Sequence, residues 1–172
     1  MSHIEYVAEK ASDDLYILSV LVEDKPGVLF RVTNLFRARN FNIESITVGY
    51  SESADLSRMT ITTRSDDRTL DQLVKQLGKL IDVVEVRVLN KVNTVYRELA
   101  LIKMKAEDPT SRAEITNLAS VFRGKILDIN RLTLTVEITG TPSKIDAFRN
   151  LVSDFGIVQL ARTGVSALPR GG

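Results

Sequence analysis

The sequence predicts an α+β fold made of two successive ferredoxin-like βαββαβ sandwiches. Short runs of β-favouring apolar residues alternate with stretches whose apolar residues recur at helical spacing, and the order β-α-β-β-α-β occurs twice. Apolar residues make up 44% of the 172-residue chain, which is enough for two small cores. The expected bounds are an N-terminal tail (1–14), a first domain (15–89), a linker (90–96), a second domain (97–168) and a C-terminal tail (169–172).

The first domain begins with "LYILSVLV", from Leu15 to Val22, which is too short and too alternating for a helix and predicts a strand. After Gly27 the apolar residues fall on one face of a helix that ends near Asn40. The runs "FNIESITVGY" and "LSRMTITTR", joined by the polar "SESAD", predict a hairpin. A second helix and the strand "VVEVRVL" complete the unit, and the apolar stripe of that helix comprises Leu70, Leu73, Val74, Leu77, Leu80 and Ile81.

The second domain repeats the pattern from Arg97, where "RELALIKMK" predicts a strand. A helix follows that ends at Gly124, and "ILDINR" with "LTLTVEITG" predicts the next strand pair. Pro142 is placed to begin the last helix and Gly156 to end it, and "IVQLARTGVSAL" predicts one closing strand.

Composition excludes several function classes. The net charge is +1, cysteine is absent, and no apolar run approaches the roughly 20 residues that span a bilayer, so we expect no nucleic-acid partner, no membrane and a cytoplasmic location. The single histidine, His3, falls in a tail expected to be disordered, and no residue cluster has metal-ligand spacing. We therefore expect no catalytic residue, no metal site and no cofactor in this chain, and we interpret Asp66 and Asp67 as solvated helix-start residues.

The two halves differ most where their first strand leads into a helix. In "EDPTSRAEI" of the second half, Ser111 and Glu114 have the spacing of a capping box, which satisfies the free amides of a helix start. The matching "EDKPGVLFRV" has no such pair, so the amides after Gly27 are available to an anion or a carboxylate. Two alternatives stay open from the residues alone: Asp24 caps the helix, or Gly27 is an ordinary turn glycine.

The stretch "LSVLVEDKPGVLFRVTNLFRARNFNIESITVG" resembles the start of an ACT domain. The chain is similar in particular to the small regulatory subunits of acetolactate synthase, also called acetohydroxyacid synthase, and this similarity continues through "LSRMTITT", "QLVKQLGKLIDVVEV", "RELALIKMKA", "FRGKILDI" and "GVSALPRG". The resemblance covers nearly the whole chain. It implies an N-terminal ACT domain that binds an amino-acid effector and a C-terminal ACT-like domain that serves assembly or activation.

The resemblance also implies a non-catalytic subunit in a larger enzyme. Its partner would be the large catalytic subunit, which carries thiamine diphosphate, magnesium and FAD. The small subunit would raise the activity of that partner and make it sensitive to feedback inhibition by valine or another branched-chain amino acid. Two small subunits would form a homodimer through their ACT domains, with the effector at that interface.

The resemblance places the effector site at two segments. Matched by motif, its residues are Asp24, Gly27, Val28, Leu29, Asn42 and Ile43. The amides of Val28 and Leu29 would hold the effector carboxylate, and the Asn42 side chain would bind the ammonium or complete the carboxylate shell. Ile43 or Leu29 would line the pocket for the effector side chain. The chain departs from many relatives in having Asp24 in place of asparagine and a bulky Phe30 beside the loop.

Two other interpretations remain open at this point. "GVLFR", from Gly27 to Arg31, resembles the phosphate-binding loop of acylphosphatases, in which Arg31 would hold a phosphate. The chain can also be an ACT-type amino-acid sensor with a different partner.

Overall fold

The computed structural model describes the backbone of residues 3–5 and all of residues 15–171. The chain divides into two compact units, Met1–Val95 with Val165–Gly172, and Tyr96–Gly164. Each unit contains strands and helices in the order β-α-β-β-α-β, whose four strands pair antiparallel, and the first unit has β1 in addition. The predicted fold class is confirmed.

The first unit is a five-stranded sheet with two helices packed on one face. Its elements are β1 (His3–Glu5), β2 (Leu15–Glu23), α1 (Val28–Ala38), β3 (Ser45–Tyr50), β4 (Leu56–Arg64), α2 (Asp67–Leu77) and β5 (Val83–Leu89). The strand order is β1-β5-β2-β4-β3; β1 runs parallel to β5, and the other neighbours are antiparallel. Within the described residues, β3 therefore forms one edge of this sheet.

Sequence periodicity explains how this unit closes its core. Alternate residues of β2 point toward the helices, since side chains of a strand alternate between its two faces. α1 and α2 each present one apolar stripe to that face. The buried core includes Leu18, Val20, Val22, Val28, Val32, Phe36, Leu70, Leu73, Val74 and Leu77.

The end of the chain lies on the opposite face of the same sheet, in β10 (Ser166–Pro169). Ile46 packs against the helix-side core, so its neighbour Thr47 points the other way. Thr47 Oγ1 donates a 2.7 Å hydrogen bond to the carbonyl oxygen of Val165. Val165 and Ala167 are both buried. The sequence-based bounds assigned residues 165–168 to the second domain, whereas the structure groups them with the first.

The second unit is an antiparallel sheet with its two helices on one face. Its elements are β6 (Thr94–Lys105), α3 (Pro109–Val121), β7 (Lys125–Ile129), β8 (Thr133–Gly140), α4 (Pro142–Val152) and β9 (Ile157–Arg162). The sheet that contains these strands has the order β10-β6-β8-β7, and β9 also pairs with β6. The core lies between sheet and helices and includes an edge-to-face contact of Phe122 with Phe148 at 5.3 Å between ring centroids.

Several element boundaries differ from the sequence-based ones. Ile81 is 94% exposed, because α2 ends at Leu77 and Gly78 follows as its C-cap, so its predicted place in the helical stripe is wrong. The expected linker contains Thr94, which already starts β6. The single closing strand is two strands, β9 and β10.

Residues His3–Glu5, expected in a disordered tail, form a short strand along β5. The rest of the expected tail lies outside the described residues. Across the part of the chain that the structure describes, no helix is both long enough and apolar enough to cross a membrane.

Candidate functional site

The start of α1 has no side-chain cap among the residues described, so amides of its first turn lack hydrogen-bond acceptors. Gly27 is the N-cap in a left-handed conformation (φ 85°, ψ −5°), and no described side chain caps the helix. The amide of Val28 donates to the carbonyl of Lys25 at 3.3 Å, and the first intrahelical bond is from Arg31 N to Gly27 O. Among the described residues, the amides of Leu29 and Phe30 have no acceptor. The open pair is therefore Leu29 and Phe30, in place of the expected Val28 and Leu29.

The other three α-helices that the structure describes are capped by side chains. Asp66 caps α2, Asp108 caps α3 and Thr141 caps α4. The predicted capping box of Ser111 and Glu114 is wrong, because Pro109 starts α3 earlier and Ser111 donates to Asp108 from both its amide (2.9 Å) and its hydroxyl (2.6 Å). The predicted contrast between the two halves is confirmed, because α3 has a side-chain cap and α1 has none among the described residues, but the cap of α3 is Asp108.

Asp24 does not cap α1. Its amide donates to the carbonyl of Asp55 at 2.8 Å, and its Oδ1 accepts a 3.1 Å hydrogen bond from the hydroxyl of Ser57. The residue is exposed, and no described cation forms an ion pair with its carboxylate. The alternative in which Asp24 caps the helix is excluded, and its carboxylate is held by Ser57 a few residues before the open helix start.

Two ion pairs flank this loop. Lys25 Nζ lies 2.7 Å from a carboxylate oxygen of Glu23, and this hydrogen bond is the main cause that raises the pKa of Lys25 above its ordinary value. Arg31 Nε lies 2.5 Å from Oδ2 of the largely buried Asp82. Because Arg31 is held by Asp82, the acylphosphatase interpretation, in which this guanidinium binds phosphate, gains no support from the structure.

Asn42 and Ile43 lie just before β3 and not within it. The Asn42 carbonyl accepts a 2.6 Å hydrogen bond from Thr63 Oγ1, and its side-chain amide donates to Glu44 at 3.2 Å. Ile43 is half-buried and packs against the core. Asn42 is exposed, with its backbone anchored to β4.

Within one chain these two groups of residues lie far apart. The β2–β4 register pairs Glu23 with Leu56 and Ile17 with Thr62, and the β3–β4 register pairs Ser45 with the same Thr62. Six residues of β2 thus separate the Gly27 end of the sheet from the Asn42 end, which corresponds to about 20 Å at roughly 3.4 Å per residue. The structure brings Asp24, Gly27, Val28 and Leu29 together, and it separates them from Asn42 and Ile43.

Comparison with known proteins identifies the family. A family model described as "Small subunit of acetolactate synthase" matches residues 97–171, and one described as "AHAS small subunit-like ACT domain" matches residues 18–85. The chain is 54% identical over 158 residues to a probable acetolactate synthase small subunit of Methanothermobacter thermautotrophicus, covering 92% of this chain and 94% of that protein. The chain belongs to the acetolactate synthase small-subunit family. An acetolactate synthase small subunit of Mycolicibacterium smegmatis is 47% identical over 156 residues, or 91% of each chain.

A solved structure of the same family agrees in fold. The crystal structure of the acetolactate synthase small subunit from Thermotoga maritima matches with a TM-score of 0.86 and 44% identity, over 92% of this chain and 99% of that one. The family assignment and the ACT domain predicted from the motifs are confirmed. Among the described residues, no group of histidine or carboxylate side chains could hold a metal ion.

Sequence reasoning missed the residues that lie far along the chain and hold the loop before α1 in place. Ser57 holds Asp24 across 33 positions, and Asp82 holds Arg31 across 51 positions. Periodicity describes neighbours along one element and carries no signal for such pairs. The Asp55 carbonyl was equally hidden, because its bond to Asp24 is made by the backbone alone.

Proposed function

We propose that this chain is the non-catalytic regulatory subunit of a cytoplasmic acetolactate synthase, where it activates the catalytic subunit and makes it sensitive to valine. Thiamine diphosphate, magnesium and FAD would belong to the catalytic subunit, as expected for this family. The observation that carries the effector proposal is the start of α1, the one described α-helix without a side-chain cap, where two consecutive amides are open.

The open amides suit the carboxylate of an amino acid. The helix N-terminus carries a partial positive charge, and the amides of Leu29 and Phe30 point out of the first turn. Gly27 presents no side chain to obstruct a ligand that approaches the backbone. The Leu29 side chain is 45% exposed and can contact an aliphatic effector, whereas Val28 is buried in the core.

The separation of about 20 Å between the two segments supports a site shared by two chains, since a valine molecule spans only roughly 5 Å. β3 is an edge strand with exposed Val48 and Tyr50. Antiparallel pairing of β3 with the β3 of a second copy about a two-fold axis would set the start of one strand beside the end of the other. Asn42 and Ile43 of one chain would then approach the Gly27 loop of its partner.

Control of the enzyme would follow from this shared site. Valine bound between two ACT domains would favour one arrangement of the pair, and the catalytic subunit would respond to that arrangement. A coupling free energy of about 1–3 kcal/mol is sufficient for feedback control, provided that valine binds the inhibited arrangement more tightly.

Calorimetry with valine, leucine and isoleucine on the purified chain tests the proposal, followed by assays of acetolactate formation with the large subunit of the same genome. We expect saturable binding of valine, activation of the large subunit, and inhibition of the complex by valine. Gly27→Asp places a side chain and a negative charge at the open amides and should abolish both the binding heat and the inhibition.

Gly156→Asp is the matched control. Gly156 has the same φ of 85° but a ψ of 100°, against −5° at Gly27, and it lies in the second unit. The variant therefore adds the same charge away from the site, with a backbone strain at least as large as that of Gly27→Asp. Valine inhibition in Gly156→Asp should equal that of the wild type. Normal valine inhibition in Gly27→Asp would show that the site lies elsewhere, and the absence of heat with all three amino acids would reject the sensor function.

A further inference from the structure

Asp82 holds the loop before α1 at both of its ends. Its backbone carbonyl accepts a 2.9 Å hydrogen bond from the amide of Glu23, the last residue of β2. Its carboxylate accepts a 2.5 Å hydrogen bond from Nε of Arg31, in the first turn of α1. A single residue just before β5 therefore fixes both the point where the chain leaves the strand and the point where it enters the helix.

Asp82 is itself fixed in the fold. The residue is 7% exposed, and it ends a turn in which the amide of Val83 donates to the carbonyl of Leu80 at 3.0 Å. Val83 in turn pairs with Val22 in the register of β2 and β5. Because buried and hydrogen-bonded backbone opens less readily than an exposed loop, Asp82 provides a stable anchor for the loop before α1.

The stretch between the two anchored ends, residues 24–30, contains the open helix start. Within it Val28 enters the core, and the other residues are exposed. Nη1 of Arg31 lies 3.2 Å from the position that a Cβ on Gly27 would occupy, so the guanidinium that Asp82 holds also lies against the loop. The shape of the loop therefore depends on a residue far along the chain.

We propose that Asp82 is a positioning residue of the effector site, which acts through Glu23 and Arg31 to keep the loop in the conformation that binds the effector carboxylate. When the binding-competent conformation is only partly populated, the apparent affinity falls in proportion to its population. Loss of the anchor lowers that population. The inference rests on the proposed function, because it assumes that an amino acid binds at this loop.

Charge alone predicts the opposite effect. Removal of the Asp82 carboxylate takes away a negative charge near the loop and leaves the Arg31 cation unpaired, and both changes favour a ligand carboxylate. Weaker effector binding without this carboxylate therefore identifies positioning. The Arg31 side chain is 42% exposed, so water can solvate its released charge and we expect Asp82 variants to fold.

Calorimetry with valine on the full-length chain tests the inference. Asp82→Leu keeps a side chain of similar size but removes the hydrogen-bond acceptor, and it should weaken valine binding about tenfold. Asp82→Asn loses the same charge but retains an acceptor oxygen for Arg31, so it should recover most of that affinity. Without valine, the Arg31 amide, which donates to Gly27, should exchange its hydrogen faster in Asp82→Leu than in the wild type, as measured by NMR.

Glu98→Leu is the matched control. Glu98 of the second unit is 6% exposed and is paired with Arg162, so the variant removes an equally buried carboxylate from an ion pair away from the loop. Its valine affinity and its exchange rate at the Arg31 amide should equal those of the wild type. Equal losses of affinity in Glu98→Leu and Asp82→Leu would assign the effect to general destabilisation and overturn the inference.

The positioning role and the proposed function fail in different ways. If the wild-type chain binds valine and Asp82→Leu binds it equally well or more tightly, the positioning role is wrong, whatever the exchange rates, and the proposed function stands. If the wild-type chain binds none of the three branched-chain amino acids, the proposed function is wrong and the positioning role is rejected with it.

Discussion

The hydroxyl of Ser57 donates a 3.1 Å hydrogen bond to the carboxylate of Asp24 and holds that charge away from the role of a helix cap. An uncapped α1 keeps its amides open for a ligand, but a free carboxylate beside them repels the carboxylate of an amino acid. The open amides of α1 would therefore attract the carboxylate of the proposed effector, whereas the carboxylate of Asp24 would repel it.

Asp24→Asn should tighten valine binding. The amide oxygen can still accept from Ser57, so the loop geometry is retained while the negative charge is lost. Unit charges several ångströms apart at a protein surface interact by about 1 kcal/mol, so we expect roughly fivefold higher affinity by calorimetry. Asp128→Asn in the second unit removes the same charge elsewhere and should leave affinity unchanged. Weaker binding in Asp24→Asn would instead assign this carboxylate to the effector ammonium.

Arg31→Met should destabilise the first unit. The substitution leaves the largely buried Asp82 carboxylate without its cation, and because the Arg31 side chain is 42% exposed the effect is expected at about 1–2 kcal/mol, below that of a fully buried pair. Urea unfolding followed by circular dichroism measures it. Lys25→Met, which breaks the exposed pair with Glu23, should change stability little. Equal losses of unfolding free energy in both variants would show that the pair of Arg31 with Asp82 contributes no more to stability than the exposed pair of Lys25 with Glu23.

A buried ion pair should stabilise the second unit in the same way. Glu98 is nearly inaccessible and is paired with Arg162, which also lies 2.8 Å from Asp146. Burial lowers the pKa of Arg162, but its hydrogen bonds to Glu98 and Asp146 outweigh that effect and leave the pKa raised.

Arg162→Met should therefore lower the free energy of unfolding by about 3 kcal/mol, because it strands the buried carboxylate. The double variant Glu98→Gln with Arg162→Met should recover part of this loss in the same urea experiment. A double variant as unstable as the single one would show that packing of the arginine stem, and not the pairing of charges, dominates.

The sequence predicts most of this fold because periodicity reports which faces of an element are buried. The stripes of α1 and α2 and the alternation in β2 follow directly from their spacing. Periodicity continues past the true end of a helix by chance, and Ile81 was misassigned for that reason. Gly124 was predicted to end α3, yet Arg123 has the positive φ there.

Periodicity also carries no information about contacts between distant segments, and several features near the site depend on such contacts. A Cβ on Gly124 would lie 2.9 Å from the backbone oxygen of Glu137, so this glycine is required by the close approach of β8, which no local pattern reveals. The motif resemblance named the segments around Gly27 and Asn42, but their separation emerges only from the register of β2, β3 and β4. Whatever depends on contacts between distant segments required the structure.

Asp108→Ala should destabilise the chain in a pH-dependent way. Hydrogen bonds from the hydroxyl and amide of Ser111 hold the pKa of Asp108 below its ordinary value of 3.8. The folded state thus favours the ionised carboxylate, so the stabilisation is fully present above the unfolded-state pKa and is lost as pH falls through the folded-state pKa. The difference in unfolding midpoint between wild type and Asp108→Ala should be constant near neutral pH and shrink below about pH 4. Thr141→Ala removes the neutral cap of α4, and its destabilisation should not change over that range. A pH-independent difference for Asp108→Ala would mean that its capping bonds do not depend on the charge.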